Sequence, residues 1–397
     1  MRRARRTRRW RDSALFRSLR RLLPLFAVGL VLRPQIVGVG PLLPRIESSL
    51  HISHGVAGLL ATIPVFCMGV FAPLAPPLLR RFGSGAAIGA SLGLALAVGV
   101  LRAVLPDAAL VLVFTVPVGV GIAVAGTLLP VVVREEHAGR PTLGTGAYTA
   151  GINVGATIAT VAAAPLAVLF GWRWTLVVYS LVSLALVLPW VLRRHTAAEP
   201  PPRAPLPLRE PLAWLLAGVF ALQSILFYGF NAWLADVYVE RGWSDTRAGG
   251  LVALFNGVAL ALGVATALLA DRLGSRRAFL LFGAAASVAS GTLVAADVRG
   301  AWAWAALLGV GTGVIFTIVM TLPLDAAEGR AEIAAYSTVM LGVGYAVSSL
   351  APTALGAVRD ATGTFTAPLS ILAVDALLLF LLSAGVRVAS SPARAGR

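Results

Sequence analysis

Twelve apolar runs, each 18 or more residues long, constrain this chain more than any other feature. A run of that length reads as a helix that crosses a bilayer. The runs cover 22–46, 55–79, 86–105, 109–133, 142–169, 172–192, 211–237, 248–270, 277–296, 300–323, 334–357 and 366–388. Only 13% of the residues are charged, against about 25% in soluble domains. The expected fold class is therefore an all-α integral membrane protein with twelve transmembrane helices.

The gap 193–210, RRHTAAEPPPRAPLPLRE, is the longest between runs. It is polar and Pro-rich, which suits a semi-rigid linker. It divides the chain into a basic tail 1–21, a six-helix bundle 22–192, the linker 193–210, a second six-helix bundle 211–388 and a short tail 389–397. Every basic residue is Arg. With the N-terminus inside, 25 of the 33 Arg fall on inside segments and seven on outside ones, with Arg33 left over. That bias predicts both termini, and the linker, on the cytoplasmic side of the plasma membrane.

The two halves echo each other. Ala57-Gly58 and Ala248-Gly249 open the second and eighth runs, and Arg81-Phe82-Gly83-Ser84 parallels Arg272-Leu273-Gly274-Ser275. Ala147-Tyr148-Thr149 parallels Ala335-Tyr336-Ser337, and Pro165 and Pro352 are expected to break the fifth and eleventh runs at similar depths. Repeats of this kind build alternating-access transporters, with the substrate between the halves at mid-membrane. Gly151-x-x-x-Gly155 permits either close static packing or sliding of helices.

Several functions are disfavoured. The tail RRARRTRRWR carries much of the +16 net charge. A basic tail ahead of a first span is held in the cytoplasm by anionic lipid headgroups, so nucleic acid is not an expected partner. Without Lys there is no Walker-type phosphate loop, which argues against ATP-driven pumping. Cys67 is the only cysteine and reads as a small packing residue. All four His fall in loops, and no His, Cys or carboxylate set has metal-ligand spacing. No paired titratable groups of an enzyme appear in the runs. No catalytic residue, metal or cofactor is expected, and the chain reads as a monomer.

Arg33 is the residue that points to a site. It lies about 16 Å of helical rise past Leu22, close to the middle of a core about 30 Å thick. A guanidinium cannot deprotonate there and is costly to leave in lipid. It is expected to face a cavity and a small polar or anionic substrate. Pro34 removes a backbone N–H beside it, and the carbonyl so freed is expected to help orient the guanidinium. Polar and aromatic residues on the other runs complete a candidate cage: Tyr148 and Asn153 on the fifth, Gln223, Tyr228, Asn231 and Trp233 on the seventh, Asn256 on the eighth, Tyr336 and Tyr345 on the eleventh. Amides give donors and acceptors, and aromatics wall a small pocket. Asp375, in the last run, is the only carboxylate expected deep in a run and the candidate relay if protons are the coupling ion.

The loop Ala270-Asp271-Arg272-Leu273-Gly274-Ser275-Arg276-Arg277 resembles the signature loop of the major facilitator superfamily. Carried over, Asp271, Arg272, Gly274, Arg276 and Arg277 form the loop that changes contacts during the transport cycle. The first-half counterpart, Arg80-Arg81-Phe82-Gly83, lacks the Asp, so no first-half latch is implied. LRPQIVGVGPLLPRI from Leu32, ALQSILFYGFNAWL from Ala221 and APTALGAVRDATG from Ala351 resemble the cyanate/2-nitroimidazole transporter branch. The resemblance implies two pseudo-symmetric bundles, a place among membrane lipids, and secondary transport of a small polar or anionic solute. It leaves open the direction and the solute, because members of the branch differ. The alternatives are a drug or metabolite efflux pump of the same superfamily and a membrane sensor that binds without transport.

Overall fold

A computed structural model describes residues 14–136, 141–191, 205–273, 276–327 and 330–386. The tail through Ser13, the linker through Ala204, Gly274 with Ser275, and the last residues from Arg387 lie outside the described residues. Among those described, ten helices are long and apolar enough to cross a membrane. Two of them hold a reversal. Gly171 (φ 81°) turns the stretch Gly144–Leu188 back on itself, since the Tyr179 hydroxyl donates to the Ala159 carbonyl at 2.6 Å. Gly83 (φ 77°) does the same in Ala72–Val104. There Cys67, before the turn, and Ser91, after it, meet neighbouring glycines, Gly119 and Gly121, of the fourth span. Both glycines adopt a left-handed conformation that other residues resist. The short helix His54–Val70 runs on into the stretch before Gly83 as a single crossing, span two, so ten helices and two reversals give the twelve crossings that the apolar runs predict.

The first span differs from the expected single helix. Helix α1 (Ala14–Val31) begins within the stretch read above as tail and stops before Arg33. The chain then runs through α2 (Pro34–Val37), a 3-10 turn at Gly40–Leu42 and α3 (Leu43–Leu50). Pro34, Gly38, Gly40 and Pro41 explain the break, because none of them favours a helix interior. The carbonyl of Leu30, deprived by Pro34 of its usual donor, lies against Gly155 of the fifth span rather than on the guanidinium. Gly151 receives the Phe26 carbonyl in the same way. The small-residue motif is thus the seam on which spans one and five close.

In the second half, Pro211–Glu240 is span seven, Asp245–Leu273 span eight and Arg276–Ala295 span nine. Span ten is Ala301–Val319 with its continuation. Span eleven breaks into Arg330–Ser348 and Ala351–Thr362, and span twelve is Thr366–Gly385. Pro352 sits at the span-eleven break, as expected. Pro165 does not interrupt span five, where the first departure from helical backbone is at Gly171. The halves meet along two seams, span two against span eleven and span five against span eight. Gly58 lies on the first seam, against the Pro352 backbone, and its repeat partner Gly249 on the second, against Ala164.

Arg102, one of the seven Arg tallied above on outside segments, is buried within span three. Its guanidinium donates to Gln35 Oε1 at 2.7 Å and Thr115 Oγ1 at 2.9 Å, and Gln35 donates in turn to Ser180. These bonds tie spans one, three, four and six around a charge that would be costly without partners.

A Cβ added at Gly155 would stand 2.0 Å from the Leu30 carbonyl oxygen, whereas one at Gly93 would meet open space. Gly155→Ala is therefore expected to cost about 1–3 kcal/mol through overpacking. It should lower the thermal unfolding midpoint of the purified protein, while Gly93→Ala leaves it unchanged or slightly higher.

Candidate functional site

A partly open cavity lies between the halves, lined from both of them. The helix break at Leu32–Arg33 turns the Arg33 side chain out of its own helix and into this space. Its Nη1 donates to the Tyr228 hydroxyl at 2.8 Å, and Tyr345 interacts with the same guanidinium. Arg33 itself is only 8% exposed. No Asp or Glu lines the cavity among the described residues. The positive charge therefore faces aromatic hydroxyls and amides but no carboxylate.

Six of the residues singled out in the sequence line this cavity: Arg33, Asn153, Gln223, Tyr228, Asn256 and Tyr345. Four others do not. Asn231 lies one turn beyond, where its Oδ1 accepts from Asn256 at 2.8 Å and its Nδ2 donates to the Phe227 carbonyl. It holds Asn256 in place rather than lining the space. Trp233 points to one end of the bundle, where its indole N–H reaches the Pro352 carbonyl at 2.8 Å. Tyr336 is bonded to Glu210, near the start of span seven. Tyr148 packs at the span-one seam, where its carbonyl meets Gly29.

Other lining residues were missed. Phe227 and Phe316 supply apolar walls, and Thr312 and Thr317 line the side formed by span ten. The threonines are the polar interruptions of an otherwise apolar run, a signal that the sequence does carry. Their hydroxyls donate to carbonyls of their own helix, Leu308 and Gly313.

Asp375 is buried in span twelve, its Oδ2 lacks a hydrogen-bond partner, and it does not line the cavity. Nor is it the only buried carboxylate, because Asp236 is enclosed to a similar degree at the end of span seven. Of the loop residues, Arg276 pairs with Asp325 and donates to the Thr321 carbonyl, and Arg277 donates to the Ala384 carbonyl. They join the start of span nine to the ends of spans ten and twelve. Asp271 and Arg272 lie at the end of the span-eight helix, and Gly274 is outside the described residues.

The sequence profile of the Major Facilitator Superfamily matches residues 25–352. The chain belongs to this superfamily. A major facilitator protein is a multi-pass secondary transporter with a small-molecule substrate. The 2-nitroimidazole transporter of Escherichia coli (strain K12) is 28% identical over 372 residues, 91% of this chain and 94% of its own length. The cyanate transport protein CynX of the same strain is 28% identical over 354 residues, 87% of this chain and 91% of its own length. The solved structure of a bacterial homologue of the human lysosomal transporter Spinster, inward-facing and unoccupied, shares the fold. Its TM-score is 0.69 and its identity 16%, over 94% of this chain and 96% of that one.

The Tyr228 hydroxyl holds one arm of the Arg33 fork, and hydrogen bonds to charged groups are worth about 1.5–3 kcal/mol. Tyr228→Phe is expected to leave a folded protein whose ligand affinity falls roughly tenfold or more. Titration calorimetry on the purified variant checks this.

Proposed function

We propose that this transporter moves a small polar or anionic solute, of the cyanate, nitroimidazole or small-carboxylate kind, by alternating access. The observation that carries the reading is a permanent positive charge in a cavity whose described lining has no carboxylate. Such a charge awaits a negative or strongly dipolar partner. The guanidinium fork suits two oxygens held in one plane, as in a carboxylate or nitro group. Phe227 and Phe316 line the same space. A flat ring bearing such a group therefore matches the cavity better than a bare linear ion.

The Arg distribution supports an orientation with both termini in the cytoplasm of the cell. On that orientation the described bonds between the halves, apart from Arg33 with Tyr228 in the cavity, gather on the outer side: Arg45 with Asp245, His54 and Gly55 with Asp360, and Thr62 with Thr353. The repeat pattern supports bundles of 22–192 and 211–388 as the moving bodies. Proton coupling through Asp375 has less support, since its carboxylate does not line the cavity.

The test is binding and transport by Arg33 variants in detergent and in proteoliposomes, with cyanate, 2-nitroimidazole and small carboxylates as probes. Arg33→Lys keeps the charge but loses the fork, and affinity is expected to fall roughly 10–100-fold. Arg33→Ala is expected to abolish transport while the protein still unfolds cooperatively. Wild-type affinity in a stable Arg33→Ala protein removes Arg33 from the site.

A further inference from the structure

A second cluster forms where the ends of spans one, two, seven and eleven meet. His54 opens span two just after its N-cap, Ser53. Asp360, from span eleven, accepts the His54 and Gly55 backbone N–H groups at 3.1 and 2.8 Å. It also stands 2.9 Å from His54 Nδ1. A carboxylate at that distance holds the imidazole proton on Nδ1. The other ring nitrogen, Nε2, then offers a lone pair.

That lone pair faces two more carboxylates. Nε2 is 3.4 Å from Glu47 Oε2 and 3.3 Å from Asp236 Oδ2. Both distances exceed the roughly 2.7–2.9 Å of a charge-assisted N–H···O bond. They equal the edge of a tetrahedron whose centre lies about 2.0–2.1 Å from each corner, the bond length of zinc to His nitrogen and carboxylate oxygen. All three ligand atoms lie within 4.8 Å of one another. Asp236 is 7% exposed, and its Oδ2 makes no hydrogen bond. Three carboxylates thus surround one imidazole, while the neighbouring Arg359 is already paired with Glu240 at 2.8 Å. Negative charge gathered at this density, with Asp236 buried, calls for a cation.

We propose that Glu47, His54 and Asp236 bind a divalent d-block cation, zinc being the best geometric match, with water in the fourth position. Asp360 is the positioning residue, orienting the imidazole through Nδ1 as carboxylates do behind metal-bound histidines. Calcium and magnesium need six or more oxygen ligands and fit poorly. Glu47 and His54 come from the first half and Asp236 from the second, so the metal clamps this end of the bundle shut. Binding does not depend on which solute is carried. The clamping consequence rests on the alternating-access reading.

Calorimetric titration of the full-length protein with zinc chloride tests the site, with magnesium and calcium chloride as controls. One zinc per chain is expected, with at least tenfold weaker binding in Glu47→Gln, His54→Gln and Asp236→Asn. Asp360→Asn should weaken binding roughly 10–100-fold. The absence of saturable zinc binding up to millimolar concentration overturns the proposal. So does unchanged affinity in any of the three ligand variants that remains monodisperse. Should one variant misfold, the other two decide. Transport in proteoliposomes should stop with zinc on the clamped face. Zinc that binds without slowing transport leaves the site standing and refutes the clamp.

Discussion

A guanidinium cannot shed its charge, and placing one at the middle of a membrane dictates much of what surrounds it. Arg33 reaches the cavity because the first span breaks beside it, and Pro34 supports that break. The break frees the Leu30 carbonyl, which is accommodated only because span five offers Gly155 at that height. Tyr228 and Tyr345 then give the charge hydroxyl partners without cancelling it. Helix break, glycine seam and aromatic hydroxyls are one solution to a single electrostatic problem. Arg102, in span three, poses the same problem and is answered differently. There Gln35 and Thr115 take up the two terminal nitrogens, and the charge serves assembly rather than recognition.

The internal repeat explains how two halves can separate and rejoin. The paired glycines Gly58 and Gly249 occupy corresponding places on the two seams between the halves. The seams are not equal, however. At Gly58 the near neighbours are backbone atoms of Pro352 and Thr353, while at Gly249 the near neighbour is the methyl group of Ala164. The break at Pro352 is what brings its carbonyl forward, where it also receives the Trp233 indole. Pro165, lying in unbroken helix, presents nothing comparable. One sequence repeat has therefore yielded one seam where helix backbone faces backbone and one where it faces a side chain.

Much of this fold is legible in the sequence because hydrophobic length and glycine position act locally. The twelve crossings and the tight turns at Gly83 and Gly171 follow from such signals. The site is only partly legible, because a run of apolar residues does not state which side of its helix faces the centre. Gln223 and Asn231 share a face of span seven, yet only the first lines the cavity, since Asn231 is one step too deep and is spent on Asn256. Arg102 escaped notice because it lies near the end of its run, where loop and helix look alike. The cluster of Glu47, His54, Asp236 and Asp360 was invisible for a different reason. It is assembled from four segments, and sequence spacing cannot register a meeting of that kind.

Cys67 is buried in span two, with its sulfur 3.8 Å from the Val116 carbonyl of span four. A lone thiol enclosed in this way is shielded from water-borne maleimides and methanethiosulfonates. The natural chain is thus already a quiet background for site-directed labelling. Two cysteines introduced at opposite helix ends would carry nearly all the signal in a distance measurement by spin resonance or energy transfer. The opening and closing of the halves can then be followed in an otherwise unaltered protein.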